Sequence, residues 1–346
     1  MRRRSFLKGV GSATATTALG LSLVPAMPGN AGAQQAGAIS VRGAYAAPGL
    51  SFAGIFLANR AGLWTKNGLN VDLKRLQGGP LSIAALTNHE VDFIGVASTD
   101  PLISWDKGIK TLAVGAFTSS LVAQFTARKD WLAKAGVSPS SSLEQKLRAL
   151  KGARIGASTI GGGPAQYTRY LVRTVGLDPE TDMKILAVGF GASRMAALRT
   201  NQVDVTIGDS PEADEIEMEG FGQLYINCAE IPVFRDFPYT LLVVMADFAE
   251  KQPEAVRRIV HTIGQANDLF HTDLASAVDM LQKENSGMDP KAVARALDRD
   301  KNAYPRGAKM TAAMWKNNVD VAVTTKMIAS HPSADEGVMW TNKFTA

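Results

Sequence analysis

Two stretches of this chain repeat each other. "AALTNHEVDFIGVAS" runs from Ala84 to Ser98 and "AALRTNQVDVTIGDS" from Ala196 to Ser210. They agree without a gap at Ala-Ala-Leu, at Val-Asp and at the closing Ser. Each reads as the end of a helix running into a buried strand. Each follows the same preamble of helix, Gly-Leu, strand and glycine-bearing turn, with Gly68-Leu69 in one copy and Gly176-Leu177 in the other. One α/β unit therefore occurs twice, and a chain built this way has two similar lobes. In α/β sheets ligands sit beyond the carboxyl ends of the strands, so two such lobes facing each other form a cleft lined by corresponding loops.

The rest of the chain alternates in the same manner. "AISVRGAY" (Ala38 to Tyr45) is a short strand, and "SFAGIFLANRAGLW" has helical spacing until Asn67-Gly68 breaks it. "LNVDLKRL" is a strand, "QGGP" (Gln77 to Pro80) a turn, "LSIAALTNHE" a helix and "VDFIGVAS" a strand. Further on come "ARIGAST", a helix from Pro164, "MKILAVG", a helix from Ser193 and "VDVTIGD". Such alternation predicts α/β architecture, with mostly parallel sheets flanked by helices. At roughly 150 residues per domain, 346 residues suit two domains.

The net charge of +5 does not make this a nucleic-acid binder. Arg2, Arg3, Arg4 and Lys8 supply four of the positive charges, and residues 1–33 hold no Asp or Glu, which leaves +1 for the body. A near-neutral body has no field to steer a polyanion. The four charges open a segment with a mildly apolar middle and an Ala31-Gly32-Ala33 end, the pattern of a cleaved secretory signal. "RRSFLK" (Arg3 to Lys8) resembles the motif read by the twin-arginine translocase, which exports folded proteins. Residues 1–33 are thus expected to be removed near Ala33, leaving a periplasmic protein from about Gln34. Cys228 is the only cysteine, so no intramolecular disulfide forms. It lies in an apolar run, "LYINCAEIP", that suits a buried, inert thiol. His89, His261, His271 and His331 are scattered, with no metal-ligand spacing. Neither a catalytic constellation nor a cofactor motif is legible, and the reading is of a non-enzyme without metal or cofactor.

Several segments together carry a family resemblance: "GLWTKNGLNVDL", "ALTNHEVDF", "ARIGAST", "GGGPAQYTRYLVRTVGLDP", "AALRTNQVDV" and "FAEKQPEAVRRIV", in this order and at this spacing. From about Ile39 to Phe270 the chain resembles the periplasmic solute-binding proteins that feed ABC importers for alkanesulfonates, taurine, nitrate and related small molecules. The resemblance implies a two-lobed periplasmic binding protein fold of type II, with two chain crossovers and the ligand closed between the lobes. Crossovers are expected near Ala127 and Tyr239. The first lobe would then comprise residues 38–126 plus 240–346, with the C-terminal helices packed on it, and the second lobe 127–239. The implied partners are a small-molecule solute and an ABC permease in the inner membrane, and the expected state is a monomer.

In that family the loop corresponding to "ASTIGGGPAQYTRYL" opens a second-lobe helix whose first amides face the ligand. A helix start presents free N–H groups and partial positive charge, and Pro164 suits the first turn. Gly161, Gly162 and Gly163 permit close approach. Such a site takes a carboxylate, sulfonate or phosphate; the other reading is a flexible loop that holds nothing. Family members often carry hydroxyl residues after the first glycine, whereas this chain offers backbone donors alone. Pro164-Ala165 stands where a nucleotide P-loop needs Lys-Ser or Lys-Thr. Helix-end stabilisation is worth about 0.3–1 kcal/mol, while micromolar binding needs about 8 kcal/mol, so other strand-end loops must contribute. The first lobe offers Tyr45, Leu50, Ser51, Gly78, Gly79, Ser98 and Thr99; the second offers Thr159, Gly161, Gly162, Gly163, Gln166, Phe190 and Asp209.

Tyr45 and Phe190 either sandwich a planar ligand body or belong to the core. Asp209 stands where the first copy of the repeat has Ala97. It either attracts an amine or hydroxyl or caps the acidic segment "PEADEIEMEG". Arg194 either points inward or, as expected, lies on a solvated helix face, and Arg235, in "PVFRDFPY", is expected to pair with a ligand acid group. The reading is a solute-binding protein for a small organic acid such as a sulfonate or aromatic carboxylate. A secreted enzyme on the same scaffold and a ligand sensor serving a membrane receptor are the alternatives.

Overall fold

The computed structural model describes residues 37–284 and 287–345; the predicted signal segment, the twin-arginine motif and the cleavage position near Ala33 lie outside the described residues. Among the described residues, ten strands form two five-stranded sheets. The first contains β1 (Ile39–Tyr45), β2 (Leu69–Arg75), β3 (Phe93–Ala97), β4 (Thr111–Thr118) and β10 (Thr240–Met245), in the order β2-β1-β3-β10-β4. The second contains β5 (Gln124–Arg128), β6 (Arg154–Ala157), β7 (Lys184–Ala187), β8 (Val205–Gly208) and β9 (Gly222–Asn227), in the order β7-β6-β8-β5-β9. Composition follows position in the sheet. Central β3 is apolar throughout (FIGVA), whereas edge strand β2 alternates Leu69, Val71 and Leu73 with exposed Asn70, Asp72 and Lys74.

The two sheets share one plan. β1, β2 and β3 are parallel, as are β6, β7 and β8. In each sheet the fourth strand, β10 or β5, runs antiparallel to both neighbours. Those are the strands on which the chain arrives from the other sheet, and entering from the opposite side reverses their direction. The sheets are therefore mixed, with the mostly parallel character confined to strands of local origin. The chain passes to the second sheet between Thr118 and Gln124 and returns just before Thr240; Ala127, where the sequence places the first crossover, already lies inside β5.

The repeated segments occupy equivalent places, each ending a helix and forming the middle strand, β3 or β8. They share a backbone detail as well: His89 (φ 57) and Asn201 (φ 60) both adopt left-handed conformation at the same position of the repeat. One large apolar cluster lies around the first sheet, and two smaller ones lie around the second. The C-terminal helices, expected on the first lobe, contact elements of that lobe and reach the second as well. The helix Pro290–Asp300 lies against Glu212–Met218 beside the second sheet, where Arg299 binds Asp214 at 3.0 Å and Arg295 binds Glu217 at 3.1 Å. The helix Ala312–Thr324 touches both Thr99–Asp106 and Gly163–Thr174. Among the described residues no helix is long and apolar enough to cross a membrane.

Candidate functional site

The strand-end loops of the two sheets meet. From the first sheet come the loop after β1 (Ala46, Ala47, Phe52), the loop after β2 (Gly78, Gly79) and the end of β3 with the turn beyond it (Ala97, Asp100). From the second come the loops after β6 (Ser158, Thr159, Gly162, Gly163, Pro164), after β7 (Phe190, Arg194) and after β8 (Asp209). Tyr239 and Thr240, at the return crossing, complete the wall. Together they enclose a cavity of ≈ 50 Å³. Since one water needs about 10–15 Å³ on such a measure, this space admits the head group of a small solute. Ala46 and Phe190 also border a wider outer cleft of ≈ 960 Å³, which Arg75, Gln77, Glu212, Glu215 and Asp289 line in part.

The glycine loop behaves as its composition demands. The helix Gly163–Thr174 has Gly162 at its cap with no side-chain cap bond, and Pro164 is in its first turn. The first-turn amides of Gly163 and Ala165 therefore have no capping side chain, and the helix start carries partial positive charge. A Cβ on Gly163 would stand 3.1 Å from the Tyr167 ring and 3.2 Å from Ala97 of the facing sheet, so the two lobes approach closely here and any side chain would press on both neighbours. Gly161 is exposed with nothing near its absent Cβ, and it does not line the cavity.

Three charged side chains, Asp100, Arg194 and Asp209, stand in the lining. Arg194 is 2 % exposed, which corrects the expected solvated helix face. Its Nε donates to Glu212 Oε2 at 2.7 Å and its Nη2 to Oε1 at 2.5 Å. Burial works against the charge, and the adjoining Glu212, with help from Asp209, overrides it and raises the guanidinium above its ordinary value. Gly208 leaves room for this: a Cβ there would lie 2.5 Å from Arg194 Nη2. Asp209 is 9 % exposed and its carboxylate does not cap the acidic helix. It accepts from Ser51 Oγ at 2.9 Å and from the Tyr239 hydroxyl, which joins the loop after β8 to the first lobe and the crossing. Burial, then the Asp209 charge, pushes the Tyr239 hydroxyl well above its ordinary value.

Asp100 is one of the lining residues, with Ser158 and Tyr239, that the sequence did not reveal. It is 8 % exposed and stands in the first turn of the helix Thr99–Asp106. Its carboxylate lies against Gly79, where a Cβ would come within 2.1 Å of it. Burial pushes its carboxyl up from 3.8 to about 7, opposed by a backbone contact with Ala97. An acid in a first helical turn suits the helix dipole whether or not it meets a ligand, so nothing in the local pattern sets it apart.

Of the expected residues, Gly78, Gly79, Thr159, Gly162, Gly163, Phe190 and Asp209 line the cavity. Phe190 comes from the second sheet yet packs on the core of the first. Ser51 and Leu50 lie one step behind: Ser51 holds Asp209, while Leu50 N–H donates to Ser210 O at 3.2 Å and its carbonyl accepts from the Tyr304 hydroxyl at 3.0 Å. Ser98 Oγ donates to Asn318 Oδ1 at 2.9 Å and secures a C-terminal helix. Thr99 is buried beside it, and Gln166 is half-buried on the glycine-loop helix, neither lining the cavity. Tyr45 packs edge-on against Phe56 at 5.3 Å, which makes it a core residue. Arg235 is exposed and donates to the Glu230 carbonyl at 3.2 Å, away from the cavity, because the short helix Pro232–Arg235 turns it outward. Cys228 is buried beyond the end of β9, outside both cavities, and burial pushes its thiol well up. No group of three or more His, Cys, Asp or Glu able to hold a metal occurs among the described residues.

Comparison with solved structures gives the same fold. A protein from Bordetella bronchiseptica RB50 superposes with TM-score 0.75 at 19% identity, covering 88% of this chain and 95% of that one. The alkanesulfonate-binding protein SsuA from Xanthomonas axonopodis pv. citri, bound to MOPS, gives 0.68 at 19% identity, covering 85% and 96%. The periplasmic nitrate-binding protein NrtA from Synechocystis PCC 6803 gives 0.66 at 13% identity, covering 84% and 86%. No curated protein matches the chain. These likenesses establish the periplasmic binding protein fold with its two lobes. The model of the NMT1-like family matches residues 47–283, and this chain belongs to that family.

Proposed function

We propose that this protein is the solute-binding component of an ABC importer, capturing one small organic solute between its lobes and delivering it to a membrane permease. The observation that carries this reading is the convergence of six strand-end loops, three from each sheet, on one small pocket. Loops that meet across two separately built sheets make a site that assembles when the lobes close. Related folds whose names specify sulfonate or nitrate binding support the same use. The residues 38–126 with 240–346, and 127–239, are the approximate lobes that move, and the N-terminal segment directs export to the periplasm through the twin-arginine route. The protein acts there as a monomer.

At the cavity wall, the uncapped amide of Gly163 suits an acid group of the solute, and Phe190 covers its apolar part on the side of the outer cleft. Isothermal titration of the chain from Gln34 onward, against sulfonates, carboxylates, nitrate, pyrimidines and amines, tests the reading. Saturable 1:1 binding with no change in the solute is expected. Conversion of a bound solute to product would replace the binding protein with an enzyme on this scaffold.

A further inference from the structure

The cavity carries one acid that the protein itself does not answer. Asp100 lines the space and is more than nine-tenths buried, yet among the described residues no side chain donates a hydrogen bond to its carboxyl or forms an ion pair with it. The other charges of the wall are committed. Arg194 gives two bonds to Glu212, and Asp209 takes the hydroxyls of Ser51 and Tyr239. Buried charges are costly unless paired, so a carboxylate left open toward a ligand space marks where a partner arrives from outside. In a cavity this small, a simple anion bound at the Gly163 helix start would lie beside two carboxylates of its own sign.

We propose that Asp100 receives a nitrogen donor of the solute, a cationic ammonium or amidinium group, so that the transported molecule is an amine-bearing solute and not a plain organic anion. This inference rests on the solute-binding reading above. The geometry divides the head group between two walls. Asp100, backed by Gly79 in the first lobe, takes the nitrogen, and the amide of Gly163 at the helix start in the second lobe remains available for an oxygen or acid group of the same molecule. Closing the lobes brings the pair together around one ligand.

The probes that test this are small and defined: acetamidinium and methylammonium against acetate and methanesulfonate, each titrated at tens of millimolar into the purified chain from Gln34 onward, with melting temperature and heat as readouts. The cations are expected to stabilise the native protein. Asp100→Asn is expected to weaken that effect about tenfold, the loss of one charge-assisted hydrogen bond. Should that variant fail to fold, the native protein answers through pH. The cation effect should fade as the medium is acidified through about pH 7 and Asp100 takes up a proton. Tyr239, which lines the same pocket, and Tyr167, buried close enough to feel the Asp100 charge, titrate well above that range; Arg194 stays charged. Stabilisation by the anions alone overturns the Asp100 assignment and leaves the solute-binding reading standing. An undiminished cation effect in Asp100→Asn also overturns it. No response to cations or anions counts against both.

Discussion

At the scale of single residues, the wall of the cavity trades stability for binding. Raising a carboxyl from 3.8 to about 7 corresponds to about 4 kcal/mol between its protonated and charged forms. The folded protein holds the Asp100 proton more tightly than the unfolded chain does. Stability without solute therefore falls as pH rises from about 4 to about 7, and this residue contributes no further loss above that. Asp100→Asn should flatten that slope and raise the melting temperature at about pH 8, measured by calorimetry across a pH series; an unchanged slope would mean that Asp100 is not the group responsible. Arg194 behaves in the opposite way. Its two bonds to Glu212 are buried, so Glu212→Ala should leave an unpaired guanidinium and cost about 3–5 kcal/mol of stability in chemical denaturation. Arg235→Ala, by contrast, changes an exposed side chain outside the cavity and should leave solute affinity unaltered in titration calorimetry.

At the scale of elements, the glycine-loop helix and the loop after β8 join the lobes. Gly163→Val places a branched side chain where even a Cβ meets Tyr167 at 3.1 Å and Ala97 at 3.2 Å. The fold of each sheet should survive and closure should not, so circular dichroism stays native while solute affinity drops. Ser51→Ala removes one hydroxyl from the Asp209 carboxylate, and a charged hydrogen bond of this kind is worth about 1.5–3 kcal/mol. Much of this was legible in the sequence, for definite reasons. The strands and helices around the repeat were readable because period and punctuation agree there, and the glycine run before Pro164 advertised a close backbone approach. The destinations of Tyr45, Arg194 and Arg235 were not readable. Each turns on which face of a short element meets a neighbour far away in the chain: Phe56 and the first core for Tyr45, Glu212 for Arg194, and the Glu230 carbonyl for Arg235.

At the scale of the whole molecule, two sheets of one plan are tied by two chain crossings, a loop latch at Asp209 and C-terminal helices that lean on both lobes. The sequence repeat announced the paired lobes because both copies fill the same middle strand, with its turn. It was silent on the helix Pro290–Asp300, whose amphipathic pattern fits either lobe and whose place is settled by Arg299 and Arg295 meeting Asp214 and Glu217. The account rests on these lobes closing over a solute. Spin labels at Asp72→Cys in β2 and Glu180→Cys ahead of β7, both exposed sites, report the separation of the lobes, while Cys228 is buried from the reagent. The distance distribution between the labels, taken with and without a solute that raises the melting temperature, tests the claim directly. Lobes that close on a solute give a broad or longer distribution that collapses to one shorter distance on saturation. A distribution that saturating solute leaves unchanged would contradict that claim.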